Sequence, residues 1–341
     1  MPARHRPVAT LATVAEAAGV SRQTVSNALN SPELLRPETL ERVQTAIEEL
    51  GYTPNRAARN LRTRTSHLVG LRLDPAVEGA ASGLMDRFLH SLVESCNEAG
   101  LHVLLFTADD VSDPLDGYDT LLRSAAVDAF VVTDTYRGNP QTAWLDERQV
   151  PFVAFGRPWG DQQASFPWVD VDGRAGIELA VDHLADRGHQ RIAWVGWQKT
   201  SYIGEDRRSG WVDRMHERGL STTRLSARGE DTVEFGRRAA HALLDSDDPS
   251  AFVCVSDTVA MGAIQAIADR GRETGPHDIA VVGFDDSQAA QVIPGGMTSV
   301  RQPLEEVAVQ IVRLLEDRLA MRSSEHAHVI LTPELRLRGT S

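Results

Sequence analysis

The stretch Thr10–Asn30, TLATVAEAAGVSRQTVSNALN, constrains the fold more than any other part of the chain. Leu11, Val14, Ala15 and Ala18 recur at the spacing of one helix face, and Thr10 stands where an N-cap hydroxyl belongs. Gly19 follows, where a left-handed residue can end the helix. Val20 plugs the corner, and Ser21 caps a second helix with the apolar stripe Val25, Ala28 and Leu29. The opposite face carries Arg22, Gln23, Ser26 and Asn27, which can hydrogen-bond base edges or phosphates. This is the layout of a helix-turn-helix, whose second helix lies in the DNA major groove. The alternative is an ordinary helical hairpin with a polar outer face.

The chain beyond Asn30 favours the helix-turn-helix. A third helix spans Pro37 to Leu50, with Leu40, Val43, Ile47 and Leu50 as its stripe and Gly51 at its end. After Tyr52-Thr53-Pro54 comes NRAARNLRTRTS, Asn55–Ser66, with Ala57, Ala58 and Leu61 on one side and four arginines around them. That segment is too short and too charged to be a stable helix alone. It would fold best against DNA and a second copy of itself.

A net charge of −13 over 341 residues argues against nucleic-acid binding if read globally. Divided, the chain carries +3 in residues 1–64 and −16 in the remainder. A basic head on an acidic body suits a DNA reader with a separate soluble module. No apolar run approaches bilayer length. MPARHRPVAT is basic but no apolar run follows it, so no signal peptide is expected. Cys96 and Cys254 sit in apolar-patterned stretches and read as buried residues of a reducing compartment. The expected location is the cytoplasm.

From His67 onward, short continuous apolar runs alternate with amphipathic helices. HLVGLRLD, LHVLLFTAD, DAFVVTD and PFVAFG read as strands of a first series. VDVD, RIAWVGW, RLSARG, AFVCVSD and IAVVGFDD read as strands of a second, and HVILTPELRLRG as a final strand pair. This is the signature of parallel sheets covered on both faces. The expected fold is multi-domain: an all-α helix-turn-helix headpiece and an α/β body of two doubly wound parallel-sheet subdomains. No P-loop, dinucleotide glycine motif or GxSxG elbow is present, so an enzyme is not expected.

The chain resembles the lac repressor (LacI/GalR) family of bacterial transcription regulators from about Ala9 to its last residues. The motifs that carry the resemblance are TLATVAEAAGVSRQTVSNALN, LGYTPNRAARNL, VDVDGRAGIELAVDHLADRGHQRIAWVG, DRRSGW, VSDTVAMGAIQAI, VVGFDD, TSVRQPLEE and TPELRLR. The resemblance implies a body folded like periplasmic sugar-binding proteins. It also implies a homodimer on a pseudo-palindromic operator, with a small-molecule effector, a sugar, bound between the two halves. The divisions expected are a headpiece at 1–52, a hinge helix at 53–66, an N-terminal effector subdomain at 67–167 with about 299–326, and a C-terminal one at 168–298 with about 327–341. The tail TPELRLRGTS has no heptad pattern, so a dimer rather than a tetramer is expected.

By match to the family, Arg22, Gln23 and Asn27 read bases, and Ala58 and Leu61 enter the minor groove, where Leu61 acts as a wedge. Thr10, Ser21, Thr24, Asn30, Tyr52 and Asn55 hold phosphates. Two departures stand out: Arg36 where the third helix usually has a Ser or Thr cap, and Thr13 where an acidic residue usually closes the first cap. Each weakens a helix end by about 1 kcal/mol or less. For the effector, Arg207 in DRRSGW and Asp257 in VSDTVAMG match cleft residues of the family. Arg157, Asp74, Trp159, Trp197 and Phe284 end strands, where open α/β sheets place ligands, and Asp172 matches a common family aspartate. The alternatives are ion pairs within the body for the charged groups and core packing for the aromatic ones. His183 and His189 read as packing or capping residues rather than metal ligands, and Asp285-Asp286 as a loop pair. No cofactor is implied. The function expected is repression of a carbohydrate utilisation or uptake operon, released by a sugar. The alternatives are a corepressor-dependent regulator and a sugar-binding protein without DNA function.

Overall fold

The computed structural model describes residues 9–52, 65–73, 83–108, 113–133, 135–160, 165–322 and 327–341. The chain divides after Ser66 into two compact units. Asn55, Ala58, Leu61 and Asp74, all assigned to DNA or effector from the sequence, lie outside the described residues, as does most of the hinge segment.

In the first unit, helices α1 (Leu11–Ala18), α2 (Arg22–Asn30) and α3 (Pro37–Leu50) enclose Val14, Ala15, Ala18, Val25, Val43, Ala46 and Tyr52. The Thr10 hydroxyl accepts the Thr13 amide at 3.3 Å, and the Thr13 hydroxyl accepts the Thr10 amide at 2.8 Å. The capping box is therefore complete with two threonines, and the expected weakness at Thr13 is corrected. A short hydroxyl reaches the cap amide as an acidic side chain would. Arg36 makes no side-chain cap on α3. The α1 C-terminus is closed by Gly19 at φ +62° and by Arg42 of α3, whose Nη2 donates to the Ala18 carbonyl at 2.9 Å.

The second unit contains two lobes. Its strands are β1 (Leu68–Arg72), β2 (His102–Phe106), β3 (Ala129–Val132), β4 (Phe152–Phe155), β5 (Trp168–Val171), β6 (Ile192–Trp197), β7 (Ser226–Gly229), β8 (Ala251–Cys254), β9 (Ala280–Phe284), β10 (Thr298–Arg301), β11 (His328–Leu331) and β12 (Glu334–Arg336). The first sheet runs β11-β5-β4-β3-β1-β2 and is parallel throughout. The second runs β12-β10-β9-β8-β6-β7 and is parallel except for β12.

The helices are α4 (Gly83–Glu98), α5 (Tyr118–Arg123), α6 (Pro140–Glu147), α7 (Gly173–Asp186), α8 (Tyr202–Glu217), α9 (Val233–Ser246), α10 (Asp257–Asp269), α11 (Gln288–Val292) and α12 (Leu304–Leu319). One core lies on the second sheet, around Trp194, Trp211 and Phe252. The first sheet has a core on each face, one with α4 and α12 and the other around Phe130 and Phe152. Both cysteines are buried and unpaired, and burial pushes the Cys96 thiol up to about 12. Among the described residues, no helix is long and apolar enough to cross a membrane.

The chain crosses between lobes three times: after β5, after β10 and after β11. The boundaries expected from sequence place each crossing one strand too early. β5 belongs to the first lobe, β10 to the second, and the final strands β11 and β12 pair with different sheets rather than with each other. A parallel strand completes its own sheet before the chain leaves from its carboxyl end. The three crossings therefore gather at the carboxyl ends of both sheets, where such sheets leave a ligand crevice.

Candidate nucleic-acid interface and ligand cleft

On α2, Arg22 and Gln23 are exposed in the first turn, and Asn27 lies one turn on. The Gln23 amide donates to the Asn27 Oδ1 at 2.9 Å, which aligns two amide side chains able to read adenine edges. The Ser21 hydroxyl accepts the Thr24 amide at 3.1 Å and shares a 2.9 Å bond with the Thr24 hydroxyl. Asn30 donates to the Ser26 carbonyl at 2.6 Å. Tyr52 is 8% exposed, so its ring is part of the headpiece core. Thr10 and Ser21 thus both cap helices, and their hydroxyls lie at exposed helix N-termini, where phosphate oxygens dock well.

The cleft is built from strand ends of both lobes. Arg207, on α8, is 5% exposed. Its guanidinium lies 3.6 Å from the centre of the Phe284 ring and 5.2 Å from that of Trp197, and Nη1 donates to the Val255 carbonyl at 2.7 Å. Asp285, Asp231, Asp170 and Asp206 surround it and oppose the burial that pushes its pKa down. Across the cleft, Arg157 donates to Asp170 at 2.5 Å, approaches Asp206 of the other lobe at 3.9 Å and lies over Trp159 at 4.8 Å. Trp159 holds φ at +37°, a costly backbone for a bulky residue and one that marks functional sites. The Trp159 and Trp197 indole N–H groups and the Arg207 Nε–H are buried without a protein partner.

Two of the residues assigned to the effector from sequence are buried against protein groups. Phe284 is fully buried with Arg207 over its face, so it carries the arginine and offers no free platform. Asp257 is 2% exposed, and its oxygens take the Ser287 amide at 2.7 Å and the Ser299 hydroxyl at 2.6 Å. It braces the turn after β9. Asp172 caps α7 by accepting the Ala175 amide at 2.9 Å. His183 and His189 bond Ser341 and Ser250 hydroxyls at 2.9 and 3.0 Å.

Sequence reasoning misses Asp285, Gln302 and Asp206. Asp285 follows β9 and accepts from Gln302 Nε2 at 2.8 Å. Burial pushes its carboxyl up to about 7, against the pull of Arg207, while Asp257 is pushed to about 6 by burial against its two serine bonds. The signal that could have found Asp285 and Gln302 is position, since both follow the carboxyl ends of adjacent strands.

The raised pKa has a testable sign. A carboxyl held above its unfolded value binds more protons when folded. Its contribution to stability is full below about pH 4 and is lost as pH rises through about 7. Asp285→Asn should therefore melt about 2–4 °C above the wild type at pH 8, with the gap closing near pH 5. Thermal melts at both values decide this, and an equal shift at the two would show that the charge is not the cause.

A helix-turn-helix DNA reader joined to a two-lobed, crevice-bearing body defines a DNA-binding transcription regulator. The known proteins it matches agree. The model for bacterial regulatory proteins of the lacI family matches residues 10–55, and that for a periplasmic binding protein-like domain matches 181–341. The HTH-type transcriptional regulator CelR of Thermobifida fusca is 34% identical over 346 residues, 99% of each chain. A LacI-family regulatory protein from Chloroflexus aggregans superimposes with a TM-score of 0.76 at 35% identity, over 81% of this chain and 99% of its own. A CelR–cellobiose complex does so at 0.73 and 30%, over 98% and 100%. The chain belongs to the lacI family of bacterial regulatory proteins, and it is a regulator rather than an enzyme.

Proposed function

We propose that this regulator is a cytoplasmic homodimeric repressor of a carbohydrate utilisation or uptake operon, released from a pseudo-palindromic operator by a sugar. The observation that carries the sugar is the pair Trp159 and Trp197. One comes from each lobe, each lies beside an arginine, and each has a buried indole N–H without a protein partner. Indole faces suit sugar C–H surfaces, and free N–H and guanidinium donors suit hydroxyl oxygens. The surrounding aspartates favour a neutral ligand rich in hydroxyl donors over an anionic one. The CelR–cellobiose complex supports a short glucoside as the first candidate.

On the DNA side, Arg22, Gln23 and Asn27 read bases, while Thr10, Ser21, Thr24, Asn30, Tyr52 and Asn55 hold phosphates. Ala58 and Leu61 enter the minor groove. Sugar binding shifts the lobes, and that shift weakens the grip on the operator.

The test is operator binding by the intact protein, read by fluorescence anisotropy against salt and against cellobiose. Affinity should fall about a thousandfold between roughly 50 and 200 mM salt, and cellobiose should release the complex. Weak, salt-insensitive binding would overturn the DNA reading. A sugar that tightens the complex would make the protein corepressor-dependent.

A further inference from the structure

The turn after β9 is held in an unusual backbone. Asp285 and Asp286 have φ of +110° and +48°, values that L residues adopt at a cost. Three successive amides are fastened. Asp285 donates to the Val300 carbonyl at 2.8 Å, Asp286 to the Ser299 hydroxyl at 3.0 Å, and Ser287 to Asp257 at 2.7 Å. All of those acceptors belong to the second lobe. The carbonyls of the same turn are held from the other side. Arg87, on α4 of the first lobe, donates from Nη1 to the Asp285 carbonyl at 3.1 Å and the Asp286 carbonyl at 3.5 Å. Its Nη2 reaches Glu305 of α12 at 3.5 Å, and Arg301 of β10 meets the same carboxylate at 3.3 Å.

We propose that Arg87 is a positioning residue of the effector cleft, holding from the opposite lobe the turn that presents the Asp285 carboxylate. This rests on the reading of the cleft as the effector site. The consequence is coupling. The turn carries a cleft carboxylate on its side chain and a contact with the other lobe on its backbone. Lobe apposition and ligand binding therefore favour one another, with no direct contact between Arg87 and ligand. A coupling of this kind is worth about 5–150-fold in affinity.

The experiment compares the full-length wild type with Arg87→Gln and Arg87→Lys. Amide hydrogen exchange without ligand should speed up about tenfold at 285–287 and in the first turns of α4 in Arg87→Gln, with β8 and α10 unchanged. Cellobiose affinity should fall about tenfold while sugar-free operator affinity stays within twofold. Lysine, which can reach one carbonyl, should restore part of both. Unchanged exchange at 285–287 in Arg87→Gln would overturn the proposal, as would faster exchange throughout the body. If the wild type ignores cellobiose, the sugar reading fails, and the exchange comparison still decides the role of Arg87.

Discussion

Arg207→Met is expected to cost the body about 3–5 kcal/mol and to abolish effector release while leaving the headpiece able to bind DNA. The cost arises from what is left behind. Asp285, Asp231, Asp170 and Asp206 all feel this guanidinium, and the Val255 carbonyl takes its Nη1. Methionine fills much of the volume over Phe284 but offers neither charge nor donor. The carboxylates, Asp170 buried and the others half-buried, then face one another with Arg157 as the main remaining counter-ion. Burial raises the pKa of Asp285, to about 7, and that of Asp206, and protonating these two relieves the repulsion, so the deficit measured by urea denaturation should be largest near pH 8 and shrink toward pH 5. A loss under about 1 kcal/mol at pH 8, or sugar release like that of the wild type, would show that Arg207 is not the electrostatic centre of the cleft.

This arginine is legible in the sequence, and the reason separates what can be read there from what cannot. The headpiece declares itself locally: Thr10, Gly19, Ser21 and Gly51 punctuate helices whose stripes need no distant partner. The alternation of apolar runs and amphipathic helices gives the layered body in the same way. The lobe boundaries are displaced because strand order is not local. Nothing within VDVD reveals that β4 and β11 flank it.

The different surroundings of Asp257 and Asp285 have the same origin. Each follows a continuous apolar strand, AFVCVS and IAVVGF, and each precedes a helix or tight turn. The difference lies in which carboxylate meets the Ser287 amide and the Ser299 hydroxyl, 30 and 42 residues beyond Asp257 in the chain. Gly283 leaves the space for that approach, since a Cβ there would collide with the Asp257 carboxylate. Only the pairing of β8 with β9 and of β9 with β10 brings these groups together.

Asp257→Ala tests that arrangement and separates bracing from ligand contact. Alanine leaves the Ser287 amide unanswered in a buried position, and Ser299 loses the acceptor that orients its hydroxyl toward the Asp286 amide. Each buried polar group left unmade costs about 1–3 kcal/mol, so a total near 3 kcal/mol is expected. The turn that presents Asp285 loses the Ser287 amide anchor and the alignment of the Ser299 acceptor at Asp286, and the response to sugar should weaken with it. Asp257→Asn makes the distinction. Its side-chain oxygen can still accept the Ser287 amide, and the Ser299 hydroxyl can rotate to accept from its NH2 group. A bracing role therefore predicts that Asn restores most of the stability and a sugar affinity within about tenfold of wild type. A residue whose charge touches the ligand directly would instead lose affinity equally in both variants, whatever the stability of Asp257→Asn. Urea denaturation and sugar titration of the operator complex on the same two proteins decide between them.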